Sequence, residues 1–477
     1  MKKLLAIALM LLPIVASADP VEVDGLKYTI NTETMEATVT QINYSGILSI
    51  PETILVEDVE YTVTAIADYA LNRKDGELIS ITFPKSIKKV GTYAFCDCYN
   101  LISVKFGDGL EEIGARAFSN CSSLQSITFG NSVKSIGYDA FYECSSLNQI
   151  YISDLKQWCM IDFTSSASNP LYYAHHLYLN KKEVKQLYIP EGIENIKEYA
   201  FYGGANITTL DIPSGVSEIG NCAFLGCTSL TSVNFPESLT KIGSMTFHNC
   251  NSLEELDLSD NITTIDESAF SGCSKLQKLK LPESLQIIRN GAFNGCSSLR
   301  SVTIPSLVEF IFQYAFSFST SETVEFFMKE EYPPLAYDNS FPAGAKFYVP
   351  DGSIELYQGV APWSSLDVLT YSGSGPDKCG APSVSYVGGK LSFKSDTPDV
   401  VFHYTITSVD SQKNAGNDID ISGNCKVSVY ASKKGYEDSD TVETVVNIIG
   451  KQGDVNRDGD ANVADHVKLS DIIMNNE

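Results

Sequence analysis

The sequence predicts a β-rich solenoid of 23-residue repeats, followed by a small all-β sandwich-like domain and a short calcium loop–helix motif. Three observations carry this expectation. A phenylalanine returns every 23 residues through the middle of the chain. Short alternating apolar runs replace that period from about residue 381. Near the end, "GDVNRDGDANVAD" spaces oxygen-bearing side chains as a calcium loop does.

At 477 residues the chain exceeds one ordinary core, so several domains or one extended repeat array are expected. A 43% hydrophobic and 19% charged composition is that of folded rather than disordered protein. The net charge of −25 repels phosphate backbones and anionic lipid, and no Lys/Arg-rich run offsets it, so nucleic acid is not an expected partner. The opening "MKKLLAIALMLLPIVASADP" places Lys2 and Lys3 before an apolar run from Leu4 to Val15, then small Ala16 and Ala18. That pattern predicts a signal peptide over 1–18, and the run is too short to span a bilayer. No later stretch is long and apolar enough to do so, so the expectation is a secreted, extracellular or cell-surface protein without membrane insertion.

Residues 19–50, with "VEVDGLKYTINTETMEATVTQI", alternate like paired strands and are expected to cap the array. The repeats occupy 51–323. Phe95, Phe118 and Phe141 are spaced 23 apart, as are Phe201, Phe224, Phe247, Phe270, Phe293 and Phe316. Leu71 precedes Phe95 by 24, and the 60 residues from Phe141 to Phe201 equal two repeats of 23 plus a 14-residue insertion, giving about eleven repeats. A period of 20 to 29 with Leu at fixed offsets predicts a leucine-rich-repeat solenoid whose coils bury their apolar face on each other. In one coil Leu124, Ile127, Phe129, Val133, Ile136, Ala140 and Phe141 are expected inside, and "SLQSITF" reads as a short parallel strand.

The coil pattern "IGxxAFxxCxxLxxVxIPxxV", with a proline after the strand at Pro84, Pro213, Pro236, Pro282 and Pro305, resembles the BspA-type leucine-rich repeat of bacterial surface proteins over roughly residues 45 to 330. The insertion around 153–180, "ISDLKQWCMIDF…NPLYYAHHLYL", is similar to one common in that family. The resemblance implies a surface-exposed or secreted protein associated with adhesion to host or bacterial surface proteins. The period alone implies only a solenoid.

Seven of the twelve cysteines share one offset, three after the Phe: Cys98, Cys121, Cys144, Cys227, Cys250, Cys273 and Cys296. Coils stacked at strand spacing bring them about 5 Å apart, within disulfide reach, and export permits oxidation. A ladder of small buried thiols is the simpler expectation. Cys96, Cys159 and Cys222 lie off the ladder, and Cys379 and Cys425 lie beyond the repeats.

The outward strand positions form columns. Ser103, Ser126, Gln149, Thr209, Ser232, Glu255, Lys278 and Ser301 make one; Lys105, Thr128, Tyr151, Asp211, Asn234, Asp257, Lys280 and Thr303 make the next. An acidic coil (Glu255, Asp257) beside a basic one (Lys278, Lys280) reads as cross-strand pairing, or as a docking patch that also includes Tyr151, Asp211 and Asn234. Asp211 and Asp257, two coils apart, stand about 10 Å from each other, just outside inverting-glycosidase separation, and no other feature supports catalysis, so no enzyme is expected. In the insertion, Tyr172, Tyr173 and Tyr178 are expected to pack or to make an aromatic contact surface, while adjacent His175 and His176 on an extended segment point apart and suit a metal poorly.

Residues 324–370, Pro-rich and carrying Trp363, are expected to cap the array; 371–380 is a Gly/Ser/Pro linker. Residues 381–449 read as a small β-sandwich. "GGKLSF" and "KVSVYASKKGYEDS" are similar to modules of chitobiase-type and other secreted carbohydrate-active proteins, with Tyr386, Tyr404, Tyr430 and Tyr436 able to stack on sugar or to pack in the sheet. In 453–477, Asp454, Asn456 and Asp458 take loop positions 1, 3 and 5, Gly459 takes 6, Asp460 and Asn462 take 7 and 9, and Asp465 takes 12, a hard-cation set that predicts Ca²⁺. "GDVNRDGDANVADHVKLSDI" resembles one half of a type I dockerin, which implies a cohesin-like partner; dockerins carry two loops, and Ala461 stands where a branched apolar residue is usual. The functional expectation is non-catalytic recognition of a host or bacterial surface protein through the repeats. The alternative is a carbohydrate-associated or scaffold component, tethered by the tail and touching glycan through the sandwich.

Overall fold

A computed structural model describes residues 20–71, 77–371, 381–387, 390–395, 400–407, 411–413, 419–421, 425–432, 439 and 441–446. The signal segment 1–18, most of the linker, Cys379 and the calcium loop with Asp454, Asn456, Asp458, Asp460, Asn462 and Asp465 lie outside the described residues. The chain divides into two compact units. The first runs to Phe326 and adds Tyr332–Lys346 and Gln358–Asp367; the second takes Phe327–Glu331, Phe347–Tyr357 and the described residues from Val368 onward.

The first unit is a β-solenoid. In each regular coil a three-residue strand such as Ser126–Thr128 pairs in parallel and in register with its equivalents, Ser103–Lys105 before and Gln149–Ile152 after. Alternation puts Ile127 inside and Ser126 and Thr128 outside. A turn follows, and where a proline opens it the amide three residues on closes back, as Leu239 N does to Pro236 O at 3.0 Å. The chain then forms a second strand of two residues, Ser135–Ile136, parallel to Glu112–Ile113 and Asp162–Phe163. Sequence periodicity showed only the first strand, because two residues are too few to alternate.

The last third of the coil is a run of turns around Ala-Phe. Even here the ladder persists: Arg116 N donates to Tyr138 O (2.9 Å), Phe118 N to Ala140 O (2.8 Å) and Asn120 N to Tyr142 O (2.7 Å), each in the following coil. Arg116 (φ 52°) and Asn120 (φ 61°), two before and two after Phe118, are left-handed, and the same two offsets recur as Asp139 and Glu143 around Phe141. Gly114 is fixed by contact instead, since a Cβ there would meet Gly91 C and Thr92 N of the preceding coil at 2.6 Å.

The phenylalanines stack as a buried column. Ring centroids are 5.1 Å apart for Phe95–Phe118, 5.6 Å for Phe118–Phe141, and 5.2 to 5.5 Å from Phe201 through Phe316, with interplanar angles of 9° or less. The seven ladder cysteines are thiols and fully buried. Each Sγ donates to a main-chain carbonyl one coil back: Cys121 to Phe95 O and Cys144 to Phe118 O at 3.2 Å, Cys250 to Phe224 O at 3.4 Å. Burial pushes the Cys227 and Cys273 thiols up to about 12.

The insertion interrupts this order. It contains helix Leu155–Cys159, whose N-cap Asp154 Oδ1 accepts from Gln157 N at 3.1 Å, and a helical turn Leu171–Ala174 ending in left-handed His175. The segment before the paired histidines is therefore helical rather than extended. One coil passes through the insertion without its phenylalanine: Phe141 N donates to Ala167 O (3.0 Å), which leaves Ser168 in the Phe place and buried Leu171 in the Cys place. Strand Leu177–Leu179 then turns back as Lys182–Glu183, closing its sheet, and a new sheet starts with Gln186–Tyr188. Side chains bridge the gap. Buried Trp158 donates Nε1–H to Ala200 O at 2.8 Å, and buried Asn169 donates Nδ2 to Tyr199 O at 2.7 Å and Ala200 O at 3.1 Å.

At the start of the array, Val21–Val23, Leu26–Asn31 and Glu36–Ile42 form an antiparallel meander, and the last of these runs parallel to Val59–Ile66. At the other end, Phe341 stacks on Phe316 at 6.2 Å and buried Trp363 packs on Phe341 at 5.4 Å, its Nε1–H donating to Pro334 O at 2.9 Å. In the second unit two antiparallel sheets form from residue 383 onward. One contains Ser383–Val387, Lys390–Lys394, Ile419–Ile421 and Ser411–Lys413; the other contains Val401–Thr407, Cys425–Ser432 and Val442–Val446. Val384, Leu391, Phe393, Val427 and Val429 make their shared core.

Candidate functional site

The strand-bearing side of the repeats displays the two outward columns read from the sequence. Asn234 lies in register with Asp211 and donates Nδ2 to Asp211 Oδ1 at 2.8 Å. Glu255 faces Lys278 (3.9 Å) and Asp257 faces Lys280 (3.1 Å) across one strand pair. Six of the seven expected contact residues thus sit in consecutive coils from Asp211 to Lys280. These ion pairs are solvent-exposed and contribute less than about 1 kcal/mol each, so they organise a surface more than they hold the fold. Asp211 and Asp257 are both hydrogen-bonded to neighbouring coils on open sheet.

Tyr151 stands apart from these six, in the sheet that ends at the insertion. It is in register with Thr128 before and Tyr178 after. Its ring lies 5.0 Å from that of Tyr178, and its hydroxyl donates to Gln149 Oε1 at 3.0 Å. A groove of about 470 Å³ opens here, lined besides the two tyrosines by Thr128, Phe129, Ile152, Ser153, Asn180 and Lys181. Asn180 (φ 50°) and Lys181 (φ 67°) form the left-handed turn that reverses the chain. Tyr178 was singled out with the insertion's aromatics; its pairing with Tyr151 and the turn beside it were not, because the insertion has no repeat period to align.

Next to this hairpin, His176 Nδ1 lies 2.7 Å from Glu183 Oε1, and Asn206 Nδ2 donates to the same oxygen at 2.7 Å. Those bonds hold the Glu183 carboxyl below the ordinary range. His175 Nδ1 lies instead 2.8 Å from Gly203 O, so the two histidines serve separate partners. Among the described residues no cluster of three His, Cys, Asp or Glu side chains could hold a metal. Tyr172 packs on both Tyr173 and Tyr202, and Tyr173 Oη accepts from Glu143 N at 3.0 Å.

A second aromatic feature lies on the turn side of the first coils. Tyr69 stacks on Tyr93 at 5.1 Å, and the Arg116 guanidinium sits between the rings of Tyr93 (5.9 Å) and Tyr138 (6.0 Å) while reaching Asp139 at 3.5 Å. In the second unit, Tyr404 packs against Phe393 at 5.2 Å beside the core, and Tyr430 stacks on His403 at 4.8 Å. The side chains of Tyr386 and Tyr436 lie outside the described residues. No described helix is long and apolar enough to cross a membrane.

Residues 64–167 and 194–323 match the family model of the BspA type leucine rich repeat region in six copies. No curated protein matches the chain. Among solved structures the chain is similar to a leucine rich cell surface protein from Faecalibacterium prausnitzii A2-165, at 25% identity over 62% of this chain and 90% of that one, with a TM-score of 0.39. It is also similar to a leucine-rich repeat protein from Bacteroides ovatus ATCC 8483 (20% identity, 74% and 99% covered, TM-score 0.42) and to the pneumococcal vaccine antigen PcpA (21% identity, 74% and 98% covered, TM-score 0.40).

Proposed function

We propose that this protein, whose repeat region is of the BspA type, is a non-catalytic secreted or cell-surface binding protein that recognises a host or bacterial surface protein through the strand-bearing side of its coils. The observation that carries this reading is the run of exposed polar side chains on successive coils from Asp211 to Lys280, with Asn234 bonded to Asp211 and the acidic coil of Glu255 and Asp257 paired to the basic coil of Lys278 and Lys280. A surface of that kind recognises a partner over many coils, each contact being weak. This reading assigns no catalytic role to Asp211 and Asp257, which lie on open sheet and hydrogen-bond to neighbouring coils. The C-terminal loop is proposed as a Ca²⁺ site on its ligand spacing, and a cohesin-like partner for it is proposed on the dockerin resemblance alone.

The test immobilises the full chain and measures capture of solubilised host and bacterial surface proteins, then repeats it with Lys278→Glu/Lys280→Glu. Reversing both cations sets four like charges side by side on exposed strands, so capture is expected to fall about tenfold, about 1.4 kcal/mol, while the fold survives. Capture of the same proteins at undiminished affinity by the reversed variant would remove this face from the function.

A further inference from the structure

Tyr151 and Tyr188 are the aromatic members of a column otherwise made of short or polar residues, Lys105, Thr128, Asp211, Asn234, Asp257 and Lys280. Tyr188 is paired in register with Asp211, whereas at the insertion two paired strands both present aromatic rings, Tyr151 and Tyr178. The rings pack on each other at 5.0 Å and a tilt of 33°. On the other side of Tyr151 the register neighbour is Thr128, whose short side chain cannot cover a phenol ring. The aromatic ledge therefore ends in a step, with the buried side chains of Phe129 and Ile152 beneath it. The bond from Tyr151 Oη to Gln149 Oε1 fixes the ring along its own strand.

The chemistry around the step is uniform. Thr128 supplies a hydroxyl, Ser153 an acceptor oxygen whose O–H already donates to Asn131 Oδ1 at 2.7 Å, Asn180 an amide and Lys181 an ammonium; the lining contains no carboxylate. A volume of about 470 Å³ falls within the range of small-ligand sites. An uncovered aromatic face bordered by short donors and acceptors suits the apolar face of a pyranose with its equatorial hydroxyls at the rim. A chain of net charge −25 disfavours polyanionic sugars.

We propose that the step beside Tyr151 is a saccharide-binding site, which takes a neutral pyranose unit on the Tyr151 ring and hydrogen-bonds it through Thr128, Ser153, Asn180 and Lys181. It is separate from the protein-recognition surface between Asp211 and Lys280 and does not depend on it.

The experiment titrates the full chain by calorimetry with neutral oligosaccharides of glucose, mannose and N-acetylglucosamine, up to about 10 mM. The intact protein is expected to bind at least one of them. Tyr151→Phe keeps the ring and stays within about threefold, whereas Tyr151→Ala loses about tenfold or more, equivalent to about 1.4 kcal/mol. Thr128→Tyr fills the step by extending the ledge and abolishes binding; circular dichroism of each variant checks that it folds. Absence of binding to every saccharide overturns the proposal, as does wild-type affinity in either Tyr151→Ala or Thr128→Tyr. A chain that captures surface proteins but no saccharide leaves the protein-recognition reading intact, and the reverse result separates the two in the other direction.

Discussion

A carbonyl oxygen has two lone pairs, and the carbonyls of Phe118, Phe224, Phe247 and Phe270 use both. Phe118 O accepts from Cys121 N of its own coil (3.3 Å) and from Cys144 Sγ of the next (3.2 Å). Cysteine suits this place because it is small enough for the packed turn, apolar enough for full burial, and still carries a weak donor. The same burial makes the ladder a pH sensor of stability. A thiol near 9 when unfolded and about 12 when folded keeps its proton longer in the native state, so the native state holds more protons between those values. Its stabilising contribution is complete below pH 9 and is lost as pH rises toward 12. Urea unfolding at pH 8 and pH 10.5 should show the wild type losing stability. Cys227→Ala/Cys273→Ala should lose less over that interval, by up to about 2 kcal/mol per removed thiol, although it starts lower because two small cavities open. Equal losses in both proteins would mean that the thiols do not govern the alkaline limb.

At the scale of elements, the regular coil was legible because its requirements are local and repeated. A buried Phe, an inward Leu and a short alternating strand must recur at one spacing, and Leu124, Ile127, Val133, Ile136 and Phe141 are all fully buried as that spacing predicts. The insertion was not legible in this way. Trp158 and Asn169 act on the main-chain carbonyls of Tyr199 and Ala200, some 30 to 42 residues away, and no side-chain pattern marks where those carbonyls will stand. Their role follows from the break itself: where the sheet stops, carbonyls of the next coil lose their ladder donors, and buried acceptors without donors cost about 1–3 kcal/mol each. Trp158→Phe keeps an aromatic ring near Phe129 but removes the N–H and part of the buried indole, so it should cost at least about 1–3 kcal/mol; Asn169→Ala should cost about 1–3 kcal/mol or more. Because both residues reach Ala200 O, the double variant should deviate from additivity. Losing this bridge weakens one nearest-neighbour interface of a linear array, and urea unfolding is expected to broaden into two transitions. Additive losses below about 0.5 kcal/mol with a single sharp transition would show that the bridge does not couple the coils.

Over the whole molecule the acidic excess decides how a metal experiment must be read. With 59 Asp and Glu against 34 Lys and Arg, any divalent ion will condense loosely on the surface, so bulk shifts on adding Ca²⁺ do not by themselves identify a site. The sequence does specify where a true site would be, since Asp454, Asn456, Asp458 and Asp465 carry loop positions 1, 3, 5 and 12. Ca²⁺ tolerates six to eight oxygens in a flexible shell, whereas Mg²⁺ demands a smaller octahedron and parts reluctantly with water. Calorimetric titration of the full chain in 0.15 M salt should therefore find one saturable Ca²⁺ per chain, with Mg²⁺ much weaker, on top of a shallow non-saturating background. Asp454→Ala/Asp458→Ala removes two carboxylates from the loop and should abolish the saturable phase while leaving the background almost unchanged. Extracellular calcium modules work at about 10⁻⁴ to 10⁻³ M, and a dissociation constant in that range would suit the secreted or cell-surface role proposed above. A saturable phase that survives the double substitution would place the ion elsewhere on the acidic surface, and its absence in the wild type would reduce "GDVNRDGDANVAD" to a solvated acidic tail.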